Sequence, residues 1–165
     1  MIENLKDAIK SAIQIEKDGY NFYNKASKET SNEMAVSLFK SLAGDELLHL
    51  EIFQKLFKQE IEKNEWYNLV NSGLKYKDIS IFPNDLKRVQ GEKADTNEID
   101  ALKIAIDNEK RSIDYYIDMK LKNSDEKFKK IINEIINQEK SHLKILEEEF
   151  SHITDTGNWF KLDYL

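Results

Sequence analysis

The motif Glu-x-x-His occurs twice in this chain, at Glu46 with His49 and again at Glu139 with His142, each time within a long helical pattern. A spacing of three residues places the carboxylate and the imidazole one turn apart on the same face of a helix. Both groups are natural metal ligands, one through oxygen and the other through nitrogen. The paired motif therefore predicts a metal site to which two helices contribute.

The motif belongs to a longer internal repeat. Residues 8–50 align without a gap on residues 101–143, so that the offset between the copies is 93 positions. The same offset carries Glu16 onto Glu109. A repeat of this kind predicts a duplicated helical hairpin with three potential ligands in each copy.

Apolar residues at helical spacing predict four helices, over about residues 3–28, 32–58, 96–122 and 125–150. Each helix has an apolar stripe that is interrupted near its middle by a glutamate. These glutamates are Glu16, Glu46, Glu109 and Glu139. A carboxylate in such a stripe faces the other helices rather than solvent.

The segments around these helices are also informative. Residues 59–94 are too long for a tight turn and fit a crossover along a bundle. The tail, residues 151–165, contains three aromatic residues and is expected to dock on the helices. Thr30 and Glu33 are placed for a capping box at the start of the second helix. Gly44 is expected to permit the close approach of a neighbouring helix.

Composition narrows the classes of function. The net charge is −6 and no basic face is evident, which argues against nucleic acid as a general partner. Without cysteine, the chain cannot hold a rubredoxin-type iron, a thiolate-bound iron–sulfur cluster or a catalytic thiol. The sequence contains no signal-peptide pattern and no apolar run of membrane-spanning length. A soluble, cytoplasmic protein is expected.

The four central glutamates require a counter-charge. Burying carboxylates together is unfavourable, because each is desolvated and repels the others. Two divalent cations would bring four positive charges and restore the balance. Di-iron and di-manganese helix bundles use this ligand set, with one glutamate from each of two helices and Glu-x-x-His from each of the other two. The expected ligands are Glu16, Glu46, His49, Glu109, Glu139 and His142.

On these residues the chain resembles the ferritin-like di-iron carboxylate proteins, and among them the rubrerythrins, over about residues 3–150. The resemblance implies an all-α domain over residues 1–150, built as an antiparallel four-helix bundle with a long crossover between its second and third helices. It also implies a centre of two iron ions, for which manganese or zinc are alternatives, and it suggests a homodimer. The implied roles are bridging for Glu46 and Glu139, terminal for Glu16 and Glu109, and one metal each for His49 and His142.

The sequence differs from the rubrerythrin pattern in two respects. Rubrerythrins usually have a further glutamate three residues after the third-helix ligand, where this chain has Ser112. They also usually carry a rubredoxin domain, so electrons must here come from an external donor such as a separate rubredoxin. The expected function is reduction of hydrogen peroxide or O2. The alternatives are iron oxidation and storage, or a di-metal bundle without redox activity.

Three tyrosines, Tyr20, Tyr23 and Tyr116, lie on the ligand stripes. They are interpreted first as core aromatics whose hydroxyls find a hydrogen bond. The alternative is that they support the ligand carboxylates or donate one electron near the metals. His152 has no glutamate three residues before it and is interpreted as a solvated surface residue.

Overall fold

Helices make up most of the part of the chain that the structure describes. The computed structural model describes residues 5–61, 87–93 and 96–163. Its elements are, in order, α1 Leu5–Glu29, α2 Glu33–Ile61, β1 Lys87–Lys93, α3 Thr96–Leu121, α4 Glu126–Thr156 and β2 Asn158–Asp163. The predicted four-helix architecture is confirmed. The two strands form a short antiparallel ribbon that the sequence did not predict.

Each copy of the repeat folds as a helical hairpin with a short, capped connection. The side chain of Asn32 accepts hydrogen bonds at 2.9 and 3.2 Å from two backbone amides in the first turn of α2. Asp125 caps α4 in the same way, at 2.8 and 3.1 Å. The predicted capping box of Thr30 and Glu33 is wrong, because Asn32 is the N-cap and the Thr30 hydroxyl donates instead to Glu98 of α3.

Two hydrophobic clusters lie along the bundle, one on either side of the central glutamates. All four helices contribute to the first cluster, for example through Ile9 of α1, Phe53 of α2, Met119 of α3 and Ile132 of α4. The corresponding residues of the second cluster are Ala26, Phe39, Leu102 and Leu146. Thus α1 and α4 run from the first cluster to the second, whereas α2 and α3 run from the second to the first. α3 therefore begins at the end of the bundle opposite to the end at which α2 finishes.

The segment between α2 and α3 is described only at β1. Residues 62–86 and 94–95 lie outside the described residues, so the path of the predicted 59–94 crossover is not described. β1 pairs with β2, the last element of the chain that the structure describes, with Lys87 opposite Asp163 and Lys93 opposite Asn158.

The C-terminal part has a longer helix than predicted, followed by β2. α4 was predicted to end near residue 150 but continues to Thr156, where Gly157 ends it with a φ of 74° and donates its backbone N–H to Ile153 at 2.7 Å. A positive φ is accessible to glycine at little cost, which explains the sharp end of the helix. The buried Trp159 then packs edge-on against Phe39, with ring centroids 6.4 Å apart. Its Nε1–H donates to Glu98 at 2.9 Å.

Two other expectations were wrong. A Cβ built on Gly44 would meet no other atom within 4 Å among the described residues, so this glycine does not mark a close helix approach. His152 is half-buried rather than solvated, and its ring stacks on Phe160 with centroids 3.7 Å apart. No helix within the described ranges has both the length and the apolar character needed to cross a membrane.

Candidate metal centre

The side chains predicted as ligands come together in the middle of the bundle, between the two hydrophobic clusters. They are Glu16 of α1, Glu46 and His49 of α2, Glu109 of α3, and Glu139 and His142 of α4, all buried. The helical stripes explain this meeting, because each places its polar residue at the same height between apolar layers. Burial at this depth removes most of the contact between these side chains and water.

These six residues form two overlapping groups, and within each group one ligand atom per residue lies within 4.8 Å of the others. Glu16 and His49 belong to one group only, and Glu109 and His142 to the other only. Glu46 and Glu139 belong to both groups. The arrangement therefore has the shape of two adjacent metal sites that share two carboxylates.

Both imidazoles turn Nδ1 toward the carboxylates. In one half, Nδ1 of His49 lies 3.0 Å from Glu139 Oε1 and 3.3 Å from Glu16 Oε2. These three atoms are buried and have no hydrogen-bond partner among the described residues. In the other half, Nδ1 of His142 lies 3.2 Å from Glu139 Oε2 and 3.5 Å from Glu46 Oε1. Buried polar atoms without partners are costly, and a cation between the three unpartnered atoms of the His49 half would satisfy all of them.

Burial and mutual repulsion control the protonation of this cluster. Burial first, and then the charge of Glu139, raise the pKa of Glu46 and of Glu109 well above the ordinary value. Burial lowers the pKa of both histidines, but the surrounding carboxylates outweigh it and raise that pKa overall. Burial also acts to raise the pKa of Glu139, yet the two adjacent imidazoles bring it well below the ordinary value. A metal would compete with the protons that this cluster retains.

Two tyrosines support the terminal glutamates across the repeat. The Tyr23 hydroxyl of α1 donates to Oε1 of Glu109 in α3, and the Tyr116 hydroxyl of α3 donates to Oε1 of Glu16 in α1. Burial, together with the adjacent glutamate, raises the pKa of both tyrosines well above the ordinary value. Both phenols therefore remain donors. The third candidate, Tyr20, is half-buried and packs against the second hydrophobic cluster. Among the described residues, it makes no hydrogen bond to the six predicted ligands.

The outer nitrogens of the two imidazoles also have partners across the repeat. Nε2 of His142 lies 3.1 Å from Oδ2 of Asp45, on α2. Nε2 of His49 lies 2.6 Å from Oε1 of Gln138, on α4. A hydrogen bond at Nε2 favours the tautomer with its proton there, which leaves Nδ1 free to bind a metal.

A pocket of about 360 Å³ reaches the cluster between α1 and α3. Its walls include Phe22 and Tyr115, and Glu46 and Glu109 are among its lining residues. The pocket also passes Gly19 and Ser112. A Cβ built on Gly19 would lie only 2.9 Å from Glu46 Oε2, so the absence of a side chain at this position leaves room for that carboxylate.

Comparison with known proteins agrees with this geometry. A sequence model of the rubrerythrin family matches residues 1–57 and 64–150 of the chain. The chain belongs to the rubrerythrin family. Among solved structures, it is similar to a protein of Thermotoga maritima described as a ferritin-like diiron-carboxylate protein. The two are 26% identical, with a TM-score of 0.61, and the match covers 90% of this chain and 95% of the other. No curated protein matches the chain significantly.

The ferritin-like fold of the rubrerythrin family is thus confirmed, and its donor set fits two metal ions. In the half that contains His49, the unpartnered carboxylate and imidazole atoms converge on one another, and in the other half four ligand atoms lie within 4.8 Å of one another. Asp45, Gln138 and Gly19 were not predicted from the sequence as residues of the centre. The repeat offset contained a signal for the first two, since Asp45 and Gln138 occupy equivalent positions, each directly before a shared glutamate.

Proposed function

We propose that this member of the rubrerythrin family is a di-iron oxidoreductase that reduces hydrogen peroxide or O2. The observation that carries the proposal is the overlap of the two ligand groups on Glu46 and Glu139. Two metals that share two carboxylates are close enough to act together on one small oxidant. Iron is proposed rather than manganese or zinc because the similar T. maritima protein is described as a diiron-carboxylate protein.

The chain would supply ligands, charge and position. When bound, two ferrous ions would supply one electron each, so that H2O2, two electrons and two protons become two molecules of water. Glu46 and Glu139 would bridge the ions, and the four carboxylates would offset their charge. Each histidine would bind one ion through Nδ1, the nitrogen that faces the carboxylates.

The tyrosines would orient the terminal ligands. Tyr116 engages Oε1 of Glu16, which leaves Oε2 of that carboxylate turned toward His49 at 3.3 Å. Tyr23 acts in the same way on Glu109, whose Oε2 lies 3.9 Å from Nδ1 of His142. A carboxylate that is held at one oxygen has fewer orientations in the metal-free protein. It therefore loses less conformational freedom when a metal binds.

The pocket between α1 and α3 would give the oxidant a route to the centre. The half-buried Ser112 lines this pocket at the position where rubrerythrins usually have a further glutamate. A small side chain at this position keeps the space in front of Glu46 and Glu109 open. Ser112→Leu is therefore expected to slow oxidation by peroxide, while Ser112→Ala leaves it near the wild-type rate. Equal rates in the two variants would show that the oxidant enters elsewhere.

The 165 residues contain no cysteine and thus no thiolates for a rubredoxin iron, and we propose that the electrons come from an external donor. A reduced rubredoxin is the donor we propose. Two reduced rubredoxins, giving one electron each, would supply the two electrons that one turnover consumes.

The test begins with metal-free protein loaded with ferrous iron in the absence of O2. The loaded protein is mixed with hydrogen peroxide or with O2 in a stopped-flow instrument, and the absorption of the oxidised centre is followed. Reduced rubredoxin is then added to measure turnover. Glu46→Ala removes a shared carboxylate, and Glu51→Ala is the matched control, because Glu51 is exposed on the same helix.

Rapid oxidation that is cycled by rubredoxin, lost in Glu46→Ala and retained in Glu51→Ala would support the proposal. Fast oxidation by O2 with release of the iron into a growing mineral would instead identify an iron-storage protein. Tight binding of two metals without oxidation by either reagent would identify a di-metal bundle without this redox activity.

A further inference from the structure

The two halves of the centre differ in the partner of their histidine. The repeat relates the two halves residue by residue, with Glu16 equivalent to Glu109 and His49 equivalent to His142. At the position before each shared glutamate, however, one copy has an aspartate and the other a glutamine. These two residues, Asp45 and Gln138, are the ones that contact the outer nitrogens of the imidazoles.

The contacts cross from one hairpin to the other. Asp45 of α2 receives its hydrogen bond from His142 of α4 at 3.1 Å, and Gln138 of α4 receives its hydrogen bond from His49 of α2 at 2.6 Å. Asp45 is buried and Gln138 is half-buried. The two contacts therefore occupy equivalent positions in the repeat, although the contact of Gln138 is 0.5 Å shorter (2.6 against 3.1 Å), and the acceptor is a carboxylate in one half and a neutral amide in the other.

This difference affects the strength of each imidazole as a ligand. A carboxylate that accepts the Nε2–H bond increases the electron density at Nδ1 more than an amide does, because its acceptor oxygen carries negative charge. It also adds one negative charge close to any cation bound at that histidine, in a buried region where charges are weakly screened. Both effects favour a cation at His142 over a cation at His49.

We propose that Asp45 makes the His142 half the tighter of two unequal metal sites, so that a single divalent cation enters that half first. Asp45 and Gln138 are then positioning residues that act through the histidines and set the order of loading. The proposal rests on the two-metal site proposed above. Changes to the partners of metal-binding histidines alter metal affinity by about 10- to 100-fold, and we expect the two sites to differ by about that factor.

The test uses Co²⁺ as the probe and does not depend on turnover. Metal-free protein is titrated with Co²⁺ by calorimetry, and crystals grown with limiting Co²⁺ are measured for anomalous scattering at each half. Wild-type protein should give two resolved binding steps and a dominant anomalous peak beside His142. The isosteric pair Asp45→Asn and Gln138→Glu exchanges amide for carboxylate at each position. Glu51→Gln, an exposed change on the same helix as Asp45, controls for loss of one charge.

Asp45→Asn should weaken the first step by about 10- to 100-fold and bring the two steps together. Gln138→Glu should strengthen the second step, and the double variant should move the dominant peak to His49. Glu51→Gln should leave both steps unchanged. Equal peaks in wild-type protein, or an order of loading that does not respond to Gln138→Glu, would overturn the inference while leaving the di-metal site in place. A wild-type protein that binds no Co²⁺ or Fe²⁺ would refute the proposed function as well.

Discussion

Replacing Glu46 by leucine is expected to stabilise the metal-free protein and to abolish its stabilisation by metal. Glu46 is only 5% exposed, and its carboxylate lies among those of Glu16, Glu109 and Glu139. Without metal, burial first and then the charge of Glu139 disfavour the ionised form of Glu46 and raise its pKa, and leucine replaces this side chain at similar volume. Burial of an ionisable group costs several kcal/mol of desolvation, and we expect removal of this cost to stabilise the metal-free protein by at least about 1 kcal/mol. For a chain of this size, 1 kcal/mol corresponds to a shift in melting temperature of about 2–4 °C.

Added metal should reverse the difference in stability between Glu46→Leu and the wild-type protein. A ligand at 100 times its dissociation constant stabilises the folded state by about 2.7 kcal/mol, and the wild-type protein should show a gain of this order with added Fe²⁺ or Co²⁺. Glu46→Leu removes a carboxylate that both metal sites share, so its melting temperature should not respond to metal. The measurement is scanning calorimetry of metal-stripped protein with and without added metal.

Glu51→Leu is the control, because Glu51 is exposed on the same helix and its replacement should change the stability by less than about 0.5 kcal/mol. It should also keep the response to metal. If metal-free Glu46→Leu unfolds at a lower temperature than the wild-type protein, repulsion among the carboxylates does not dominate, and the electrostatic argument is refuted. If wild-type protein gains no stability from either metal, the buried cluster is not a metal site.

Three further predictions address the surroundings of the centre. Gly19→Ala places a Cβ about 2.9 Å from Oε2 of Glu46, which should displace this shared carboxylate. Calorimetry should then show weaker Co²⁺ binding. An unchanged affinity would contradict the role assigned to the space at Gly19. Tyr23→Phe and Tyr116→Phe each remove a hydrogen bond to a terminal glutamate and should weaken metal binding by about 10- to 100-fold. Tyr20→Phe is the control, because Tyr20 lies outside the ligand cluster. An effect no larger than that of Tyr20→Phe would show that the two hydroxyls are only structural. The metal-free protein should lose stability in thermal melts as the pH rises above about 4.3, the ordinary pKa of glutamate. The raised pKa of Glu46 and Glu109 means that the folded state then holds protons that the unfolded state has released. A melting temperature that increases as the pH rises above this value would refute the sign.

The sequence alone sufficed for those features that depend on local spacing. A three-residue spacing on a helix has one geometric meaning, so the pairing of Glu46 with His49 and of Glu139 with His142 on common faces could be read directly. Glu16 could be assigned because an apolar stripe on both sides of a carboxylate indicates burial. The repeat then required a second, equivalent hairpin. The four helices and their meeting at six buried residues follow from these observations.

The tertiary structure decided which side chains act from a neighbouring helix. Asp45 reads as one more acidic residue of an acidic helix, but it contacts His142 on α4. Glu98 reads as a first-turn acid of α3, but it is buried and accepts a hydrogen bond from Trp159. Gly19 and Gly44 look alike in sequence, and only Gly19 lies against a ligand carboxylate. The sequence by itself determined the helices and the residues that face inward, because helical periodicity is local. The relative rotation and height of packed helices depend on contacts between distant residues, and only the folded bundle determines them.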